Sequence, residues 1–72
     1  MKIEAVKIDL DDVLVEGKRR YLVTGKYLNS GGLGDTVRFR LTNLRTNKER
    51  MSNFFAHECL LEVELNNDGA GV

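Results

Sequence analysis

The chain has 72 residues, 42% of them hydrophobic, with no net charge at neutral pH and a single cysteine. This length predicts one small domain, and the ordinary apolar fraction argues against a disordered chain. One cysteine cannot form an internal disulfide, and the absence of paired Cys and His clusters argues against a structural zinc site. No apolar run approaches the roughly 20 residues that cross a bilayer, and the first residues do not resemble a signal peptide. We therefore expect a soluble, cytoplasmic protein with no membrane partner.

The zero net charge conceals a partition along the chain. Residues 1–16 contain five acids and two bases (net −3), residues 17–50 nine bases and two acids (net +7), and residues 51–72 four acids and no base (net −4). Folding can collect these segments into one basic and one acidic face. Alternatively, strands of opposite sign pair across a sheet and neutralise each other.

The first third of the chain predicts short strands joined by polar turns. Ile3–Ile8 is prone to β structure, and the acidic run Asp9–Asp12 then predicts a turn. Val13–Val15 and Tyr21–Val23 are separated by a polar segment that contains a glycine, which predicts a hairpin. Gly25 lies inside the second strand, where a glycine indicates a bulge or bend.

Residues 21–44 form the segment around which we expect the rest of the chain to be organised. Two β-patterned stretches flank Ser30–Gly34, where three glycines within four residues favour a tight reversal with Leu33 at its tip. After this loop apolar and polar residues alternate, which predicts a strand with one face in the core. The core face would hold Val37, Phe39 and Leu41, and the solvent face Thr36, Arg38, Arg40 and Thr42.

The last third predicts one further reversal and two strands. Asn47 suits a left-handed turn position, and Glu49–Phe55 predicts a strand. In the final strand Leu61, Val63 and Leu65 point inward, while the glutamates between them point outward. Short strands with regularly spaced turns predict an all-β domain over residues 1–65, a small antiparallel barrel of five to six strands. Residues 66–72 are expected to form a flexible tail.

Four short motifs follow one another in the middle of the chain. They are Val13–Gly17, Tyr21–Val23, Gly31–Gly34 and Val37–Thr46. Their order and spacing resemble the N-terminal, KOW-type SH3-like barrel of the elongation factor P family, over roughly residues 10–55. In that family a glycine loop at the tip of a long hairpin precedes a basic strand and an Asn-Leu-x-Thr-Gly turn. The resemblance implies an SH3-like fold and a role in translation, contacting RNA or the ribosome.

The resemblance fails at the residue that matters most for the family's activity. The family's modified tip lysine, which reaches toward the P-site transfer RNA, falls on Leu33, and the loop proline falls on Gly31. Leucine cannot carry that modification. The chain also ends before the further barrels of the family could begin. The resemblance therefore implies the scaffold and a basic RNA-binding surface, without the family's assistance to peptidyl transfer.

The basic residues are the strongest functional lead. Arg38 and Arg40 share the solvent face of one strand, and the other bases, including Lys18, lie at or near its turns. If the barrel gathers them, they bind the phosphates of RNA. The predicted RNA-binding residues are Arg19, Arg20, Lys26, Arg38, Arg40, Arg45, Lys48 and Arg50. The alternative is a solvated sheet face opposed by the acids Glu58, Glu62 and Glu64.

Three aromatic residues and the hairpin tip extend these hypotheses. Tyr21, Tyr27 and Phe54 are candidates to stack on bases beside the basic residues. The second hypothesis is a protein-interaction module that uses the barrel rim and the tip, formed by Gly31, Gly32, Leu33 and Gly34. Leu33 then either anchors in a partner's pocket or folds back onto its own barrel. One uncovered patch of Arg38, Arg40, Arg45 and Arg50 would favour RNA, whereas pairing of these arginines with the last strand's glutamates would favour protein.

No pattern of residues predicts catalysis, a cofactor or a small-molecule substrate. His57 and Cys59 are two positions apart, but two ligands do not make a metal site. The acidic run Asp9–Asp12 lacks the glycine and glutamate of a calcium loop, and the single histidine has no evident nucleophile to activate. The glycine loop continues with Asp35 instead of the Lys-Ser/Thr of a phosphate-binding loop. We expect a non-catalytic binding module.

Overall fold

The computed structural model describes residues 1–32 and 34–64. These residues form seven β-strands and one 3₁₀ turn, and no α-helix occurs among them. The strands are β1 (Lys2–Glu4), β2 (Val13–Glu16), β3 (Arg19–Gly31), β4 (Gly34–Asn43), β5 (Glu49–Met51), β6 (Phe55–Ala56) and β7 (Leu60–Glu64), and the 3₁₀ turn covers Ala5–Lys7. Within the described ranges no helix is long and apolar enough to cross a membrane.

One antiparallel sheet contains all of these strands. Their order is β1-β7-β2-β3-β4-β5, and β6 pairs with β4 near its start. The N–H of Ala5 donates to the carbonyl of Cys59 over 2.7 Å, and the N–H of Val6 to that of His57 over 3.2 Å. These bonds join the segment after β1 to the turn between β6 and β7, so the sheet curls around its core. The prediction of a small all-β antiparallel barrel is confirmed, but the described residues form seven strands instead of the predicted five to six, because the predicted strand over Glu49–Phe55 is divided into β5 and β6.

Three predicted backbone features lie where the sequence places them. Gly17, in the turn between β2 and β3, has φ 64°, and Asn47 has φ 67°, the left-handed region that glycine and asparagine tolerate best. The pairing of β3 with β4 shifts register between Val23 and Gly25, which is the predicted bulge. The acidic turn is also present, with Asp11 at φ 75°.

The core lies under the middle of β4. Val37 and Phe39 are fully buried and Leu41 is 4% exposed, as their alternation predicts. Tyr21 of β3 and Val63 of β7 complete this cluster, together with four further residues from the rest of the barrel, Ala5, Ile8, Leu14 and Val23. The core therefore draws on most of the sheet and holds β4 with one face inward and one face outward.

The opening segment departs from its prediction. The strand predicted over Ile3–Ile8 ends at Glu4, and a 3₁₀ turn follows. Residues three apart lie on the same side of a 3₁₀ turn. Ala5 and Ile8 therefore both point into the core, where each is fully buried. A strand would have turned one of them outward.

The strand predicted over Glu49–Phe55 is interrupted. β5 ends at Met51 and β6 begins at Phe55. Between them Ser52 is buried, its Oγ accepts a hydrogen bond from the N–H of Phe39 over 2.9 Å, and its own N–H donates to the carbonyl of Phe39 over 2.8 Å. A side-chain oxygen thus occupies the place of a backbone acceptor, and the regular ladder stops there.

Two predictions concern residues outside the described ranges. These are the inward position of Leu65 with the tail at 66–72, and the orientation of Leu33 at the hairpin tip. The described part of the final strand behaves as predicted, with Val63 buried, Leu61 half-buried and the glutamates of β7 exposed.

Candidate nucleic-acid interface

The outer side of β4, which faces away from the core, carries the two predicted arginines. Arg38 and Arg40 are half-buried because each guanidinium lies against the sheet. Nε of Arg38 donates to the carbonyl of Ser52 over 3.1 Å, and Arg40 donates to Oγ1 and the carbonyl of Thr24 over 3.3 and 3.2 Å. A guanidinium has five N–H donors, so both groups keep donors for a ligand.

Arg38 also lies over an aromatic ring. Its guanidinium carbon is 4.7 Å from the centroid of the Phe54 ring, which is a cation–π contact. Together with Tyr27 and Met51 these residues line a shallow groove of about 420 Å³. Phe54 is 57% exposed, Tyr27 44% and Met51 40%. We call these four residues the arginine–aromatic face.

Tyr27 stands on this face because Gly25 makes room for it. A Cβ atom at Gly25 would lie 2.8 Å from Oη of Tyr27 and 3.1 Å from Cβ of Arg40. Tyr27 and Arg38 are cross-strand partners, as are Gly25 and Arg40. The bulge at Gly25 therefore brings an aromatic ring onto the outer side of the sheet next to both arginines.

A second group of bases converges at the far end of β4. The start of β3, directly after the turn from β2, is joined to the turn after β4 by a hydrogen bond of 3.0 Å from the N–H of Leu44 to the carbonyl of Arg20. A cleft of about 230 Å³ opens between these turns, and Asn43 and Leu44 line its floor. Its charged lining residues are Lys18, Arg19, Arg20 and Arg45, which we call the basic turn cluster.

Asn43 fixes the shape of the second turn. Its Oδ1 accepts hydrogen bonds from the backbone N–H of Arg45 over 2.8 Å and of Thr46 over 3.2 Å. Its own N–H donates to the carbonyl of Lys48 over 2.8 Å. This side-chain turn holds Arg45 beside the first turn, and it places the exposed Lys48 in the same loop.

The basic turn cluster is partly neutralised. Arg20 forms an ion pair with Glu64, both side chains being about half exposed. Glu16 is the cross-strand partner of Arg19. Glu49 lies beside Thr42 on the outer side, between the two groups of bases. Arg38, Arg40, Arg45 and Arg50 were expected to favour RNA as one uncovered patch, or a protein partner if they paired with glutamates of β7. In the described residues none of them pairs with a β7 glutamate, but they do not form one patch either, because Arg50 lies on the inner side of the sheet and Arg45 in the turn after β4.

Two predicted bases lie on the opposite side of the sheet. Nζ of Lys26 donates to the carbonyl of Val6 over 2.7 Å and lies 3.6 Å from Asp9, so it holds the first segment against the barrel. The guanidinium of Arg50 lies 5.3 Å from the centroid of the Tyr21 ring. Tyr21 itself is only 3% exposed. Its ring is thus part of the core, and the prediction that it stacks on bases is wrong.

The hairpin tip extends the arginine–aromatic face. Gly31, Gly32 and Gly34 line a groove of about 280 Å³ together with Asn29, Thr36 and Phe54. An added Cβ would meet no atom at any of the three glycines, so the backbone here is open to a ligand. Leu33 belongs to the residues of which the structure gives no side-chain description.

The remaining polar candidates have structural contacts. Nε2 of His57 lies 3.2 Å from the carbonyl of Thr36, and Cys59 packs against the core. Across residues 1–32 and 34–64 no three His, Cys, Asp or Glu side chains lie close enough together to hold a metal ion.

The sequence predicted the face on which the basic residues lie correctly only for β4. Arg38 and Arg40 share a face because they are two residues apart, but Arg50 faces inward and Lys26 is tied to Val6. The Arg38–Phe54 contact joins β4 to the segment between β5 and β6, and no local sequence pattern indicates it. No protein-family model matches the chain, and no curated protein is significantly similar to it.

Proposed function

We propose that this protein is a non-catalytic module that binds single-stranded RNA, free or within the ribosome, in the cytoplasm. The RNA lies along the outer side of β4. The observation that carries the proposal is the alignment of the arginine–aromatic face and the basic turn cluster along this one strand. Leu44 is six positions after Arg38, which corresponds to about 20 Å of extended strand.

The arginine–aromatic face supplies the contacts to bases. Single-stranded nucleic acids bind proteins through aromatic rings on which unpaired bases stack, and through arginine planes. Phe54 and Tyr27 are both exposed, and they flank an arginine that keeps free donors. A stacked base contributes about 1–3 kcal/mol, so two such rings give this face most of its selectivity for unpaired strands.

The basic turn cluster supplies the contacts to phosphates. If about four phosphates are neutralised, the logarithm of the affinity falls with the logarithm of salt concentration with a slope of about −2.8 for a single strand. Affinity then drops about 50-fold between about 50 and 200 mM salt. The ion pair of Arg20 with Glu64 lowers the number of phosphates neutralised, because the glutamate already offsets part of the positive charge of Arg20.

The resemblance to the elongation factor P family is consistent with this proposal. It suggests a translation-factor scaffold with a basic strand, and it supplies no catalytic group. The family's tip lysine is absent at Leu33. The proposal therefore places RNA on the side of the hairpin and assigns no role in peptidyl transfer.

The test is a salt titration of RNA binding. Fluorescence anisotropy would follow a labelled oligouridine of about 12 nucleotides. Arg45→Ala should weaken binding and reduce the salt slope by about 0.7. Phe54→Ala should weaken binding about 5- to 150-fold and leave the slope unchanged, since it removes stacking and no charge.

Matched controls separate the interface from general effects. Leu60→Ala removes an apolar side chain that is as exposed as Phe54, at 57%, but lies on β7. Lys2→Ala removes an exposed base on β1. Both should bind RNA like the unmodified chain. The proposal is wrong if no RNA binds at about 50 mM salt, or if the control variants lose as much affinity as the interface variants.

A further inference from the structure

The long strand β3 has a free edge. β3 has 13 residues, but β2 pairs only with Arg19–Leu22, and the acidic turn bonds only to Val23. From Gly25 to Gly31 β3 pairs with β4 alone. Within the described part of the chain no strand covers its other edge. Such an edge is a ready template for a further strand.

The outward-facing backbone groups can be identified from the register. Phe39 directs its N–H and carbonyl to Ser52, and its cross-strand partner is Lys26. Phe39 and Lys26 are therefore a non-hydrogen-bonded pair, in which both residues direct their backbone N–H and carbonyl groups away from each other. Hydrogen-bonded and non-hydrogen-bonded pairs alternate along an antiparallel ladder. Lys26, Leu28 and Ser30 therefore direct three N–H and three carbonyl groups toward the free edge.

The usual protection of an edge is missing here. Lysines commonly guard free edges, but the ammonium group of Lys26 bonds to Val6 on the inner side and its side chain is only 21% exposed. The next residue whose backbone groups point toward the free edge is Leu28, an apolar residue that is 64% exposed. Leu28 continues a row across the sheet in which Phe55 pairs with Val37 and Val37 pairs with Leu28. This apolar row ends abruptly at the edge.

We propose that this edge pairs with the same edge of a second copy of the chain. The two β3 strands run antiparallel around a twofold axis, with Leu28 opposite Leu28 of the second copy. Six backbone hydrogen bonds then satisfy the outward groups of both strands. The apolar row becomes continuous across both copies, and each Leu28 is covered by the other. This interface does not depend on RNA binding, and the outer sides of both sheets stay open to solvent, although Tyr27 of the arginine–aromatic face comes to lie beside Asn29 of the second copy.

The sequence of β3 suits this self-pairing. Lys26 lies opposite Ser30, and Tyr27 lies opposite Asn29, so no like charges meet across the pair. The row of Lys26 ends at Asp35 of the second copy, since Asp35 pairs with Ser30 in this hairpin. Gly31 comes opposite Gly25. The absence of side chains there lets the hairpin tip of one copy pass the bulge of the other.

The first test is the oligomeric state of the full chain. A single strand pair covers less surface than a stable interface of about 1,600 Å², so we expect a weak dimer. Analytical sedimentation at protein concentrations on the order of 100 µM would detect it. Leu28→Lys removes the apolar contact and places two charges opposite each other. Ser30→Pro removes one outward N–H and leaves the bonds to β4 intact. Each should raise the dissociation constant of the dimer about tenfold or more.

The matched control is Leu60→Lys, which places the same charge at a leucine that is 57% exposed on β7. It should dimerise like the unmodified chain. Circular dichroism and thermal unfolding identify variants that remain folded. A folded Leu28→Lys chain that dimerises normally overturns the proposal, as does a chain that is monomeric at all concentrations.

A second test reports the register directly. With Cys59 replaced by alanine, Leu28→Cys places two thiols on residues whose Cα atoms are about 5.5 Å apart, within reach of a short thiol-specific cross-linker. Ser30→Cys is the control. Ser30 lies opposite Lys26, so the Ser30 residues of the two copies are offset by about 13 Å along the strands. Rapid cross-linking of the first variant and not of the second is expected. Equal cross-linking of both, or cross-linking of the second alone, contradicts the register.

Discussion

We expect the loss of the Ser52 hydroxyl to destabilise the fold more than the loss of an exposed serine hydroxyl would. This hydroxyl is the acceptor for the N–H of Phe39, and both groups are buried. Ser52→Ala leaves this N–H without a partner in the core, because a hydrogen atom on Cβ replaces the hydroxyl that accepts the bond. Leaving a buried donor unsatisfied costs about 1–3 kcal/mol. The second bond of the hydroxyl, 2.8 Å to the carbonyl of Asn53, contributes less, since Asn53 is exposed and water can replace it.

This cost is a large part of the total. A domain of this length has a free energy of unfolding of about 4–11 kcal/mol. We therefore expect the thermal midpoint of Ser52→Ala to fall by about 5–20 °C, since 1 kcal/mol corresponds to about 4–8 °C in a domain this small. Urea denaturation gives the free energy change directly. Hydrogen exchange adds a local readout, in which the amide of Phe39 should exchange faster while that of Leu41 keeps its relative protection.

Two variants serve as controls. Ser52→Thr retains the hydroxyl and should lose less stability than the alanine variant. Ser30→Ala removes an exposed hydroxyl from the same sheet and should change the free energy of unfolding by less than about 0.5 kcal/mol. If Ser52→Ala unfolds within about 0.5 kcal/mol of the unmodified chain, the hydroxyl is not the acceptor on which Phe39 depends.

Two further predictions follow from the bulge and from the first residue. Gly25→Ala should cost about 1–3 kcal/mol in urea denaturation because its methyl group meets Tyr27 and Arg40; the cost should shrink in a Tyr27→Ala background, and an unchanged cost would contradict the contact. The Met1 ammonium group donates a hydrogen bond to Glu62, and this bond, with the charge of Lys2, holds the pKa of Glu62 below its ordinary value. The carboxylate thus stabilises the fold above the ordinary pKa of glutamate, and this contribution is lost as the pH falls through the lowered pKa. NMR titration should show the lowered pKa, and acetylation of the amino terminus should return it toward the ordinary value; no change on acetylation would refute the cause.

The parts of the fold that depend on local pattern could be predicted from the sequence. The alternation along β4 follows from a period of two, and the bulge at Gly25 and the left-handed Asn47 follow from the conformations that these residue types favour. The 3₁₀ turn could not be predicted in this way. It depends on the burial of both Ala5 and Ile8, which only the closed barrel provides.

The candidate interface was predictable in kind and not in arrangement. Basic residues are evident from composition, but the face on which each lies depends on the strand register. A shift by one position separates Arg50 from Arg40 across the sheet. The pairing of Arg20 with Glu64 joins residues 44 positions apart, and the contact of Ser52 with Phe39 is tertiary. Long-range contacts of this kind leave no trace in a local pattern.

The position of β7 between β1 and β2 has a consequence for how the chain folds during synthesis. The sheet is not continuous until residues 60–64 are available, since β1 has no other partner strand among the described residues. The hairpin of β3 and β4 needs only neighbouring segments and can form early, because short loops close at small entropic cost. The barrel must wait until β7 has been synthesised, and such distant pairings slow folding. Until then the growing chain exposes the apolar face of β4, so a pause in synthesis before residue 60 would leave it most prone to aggregate.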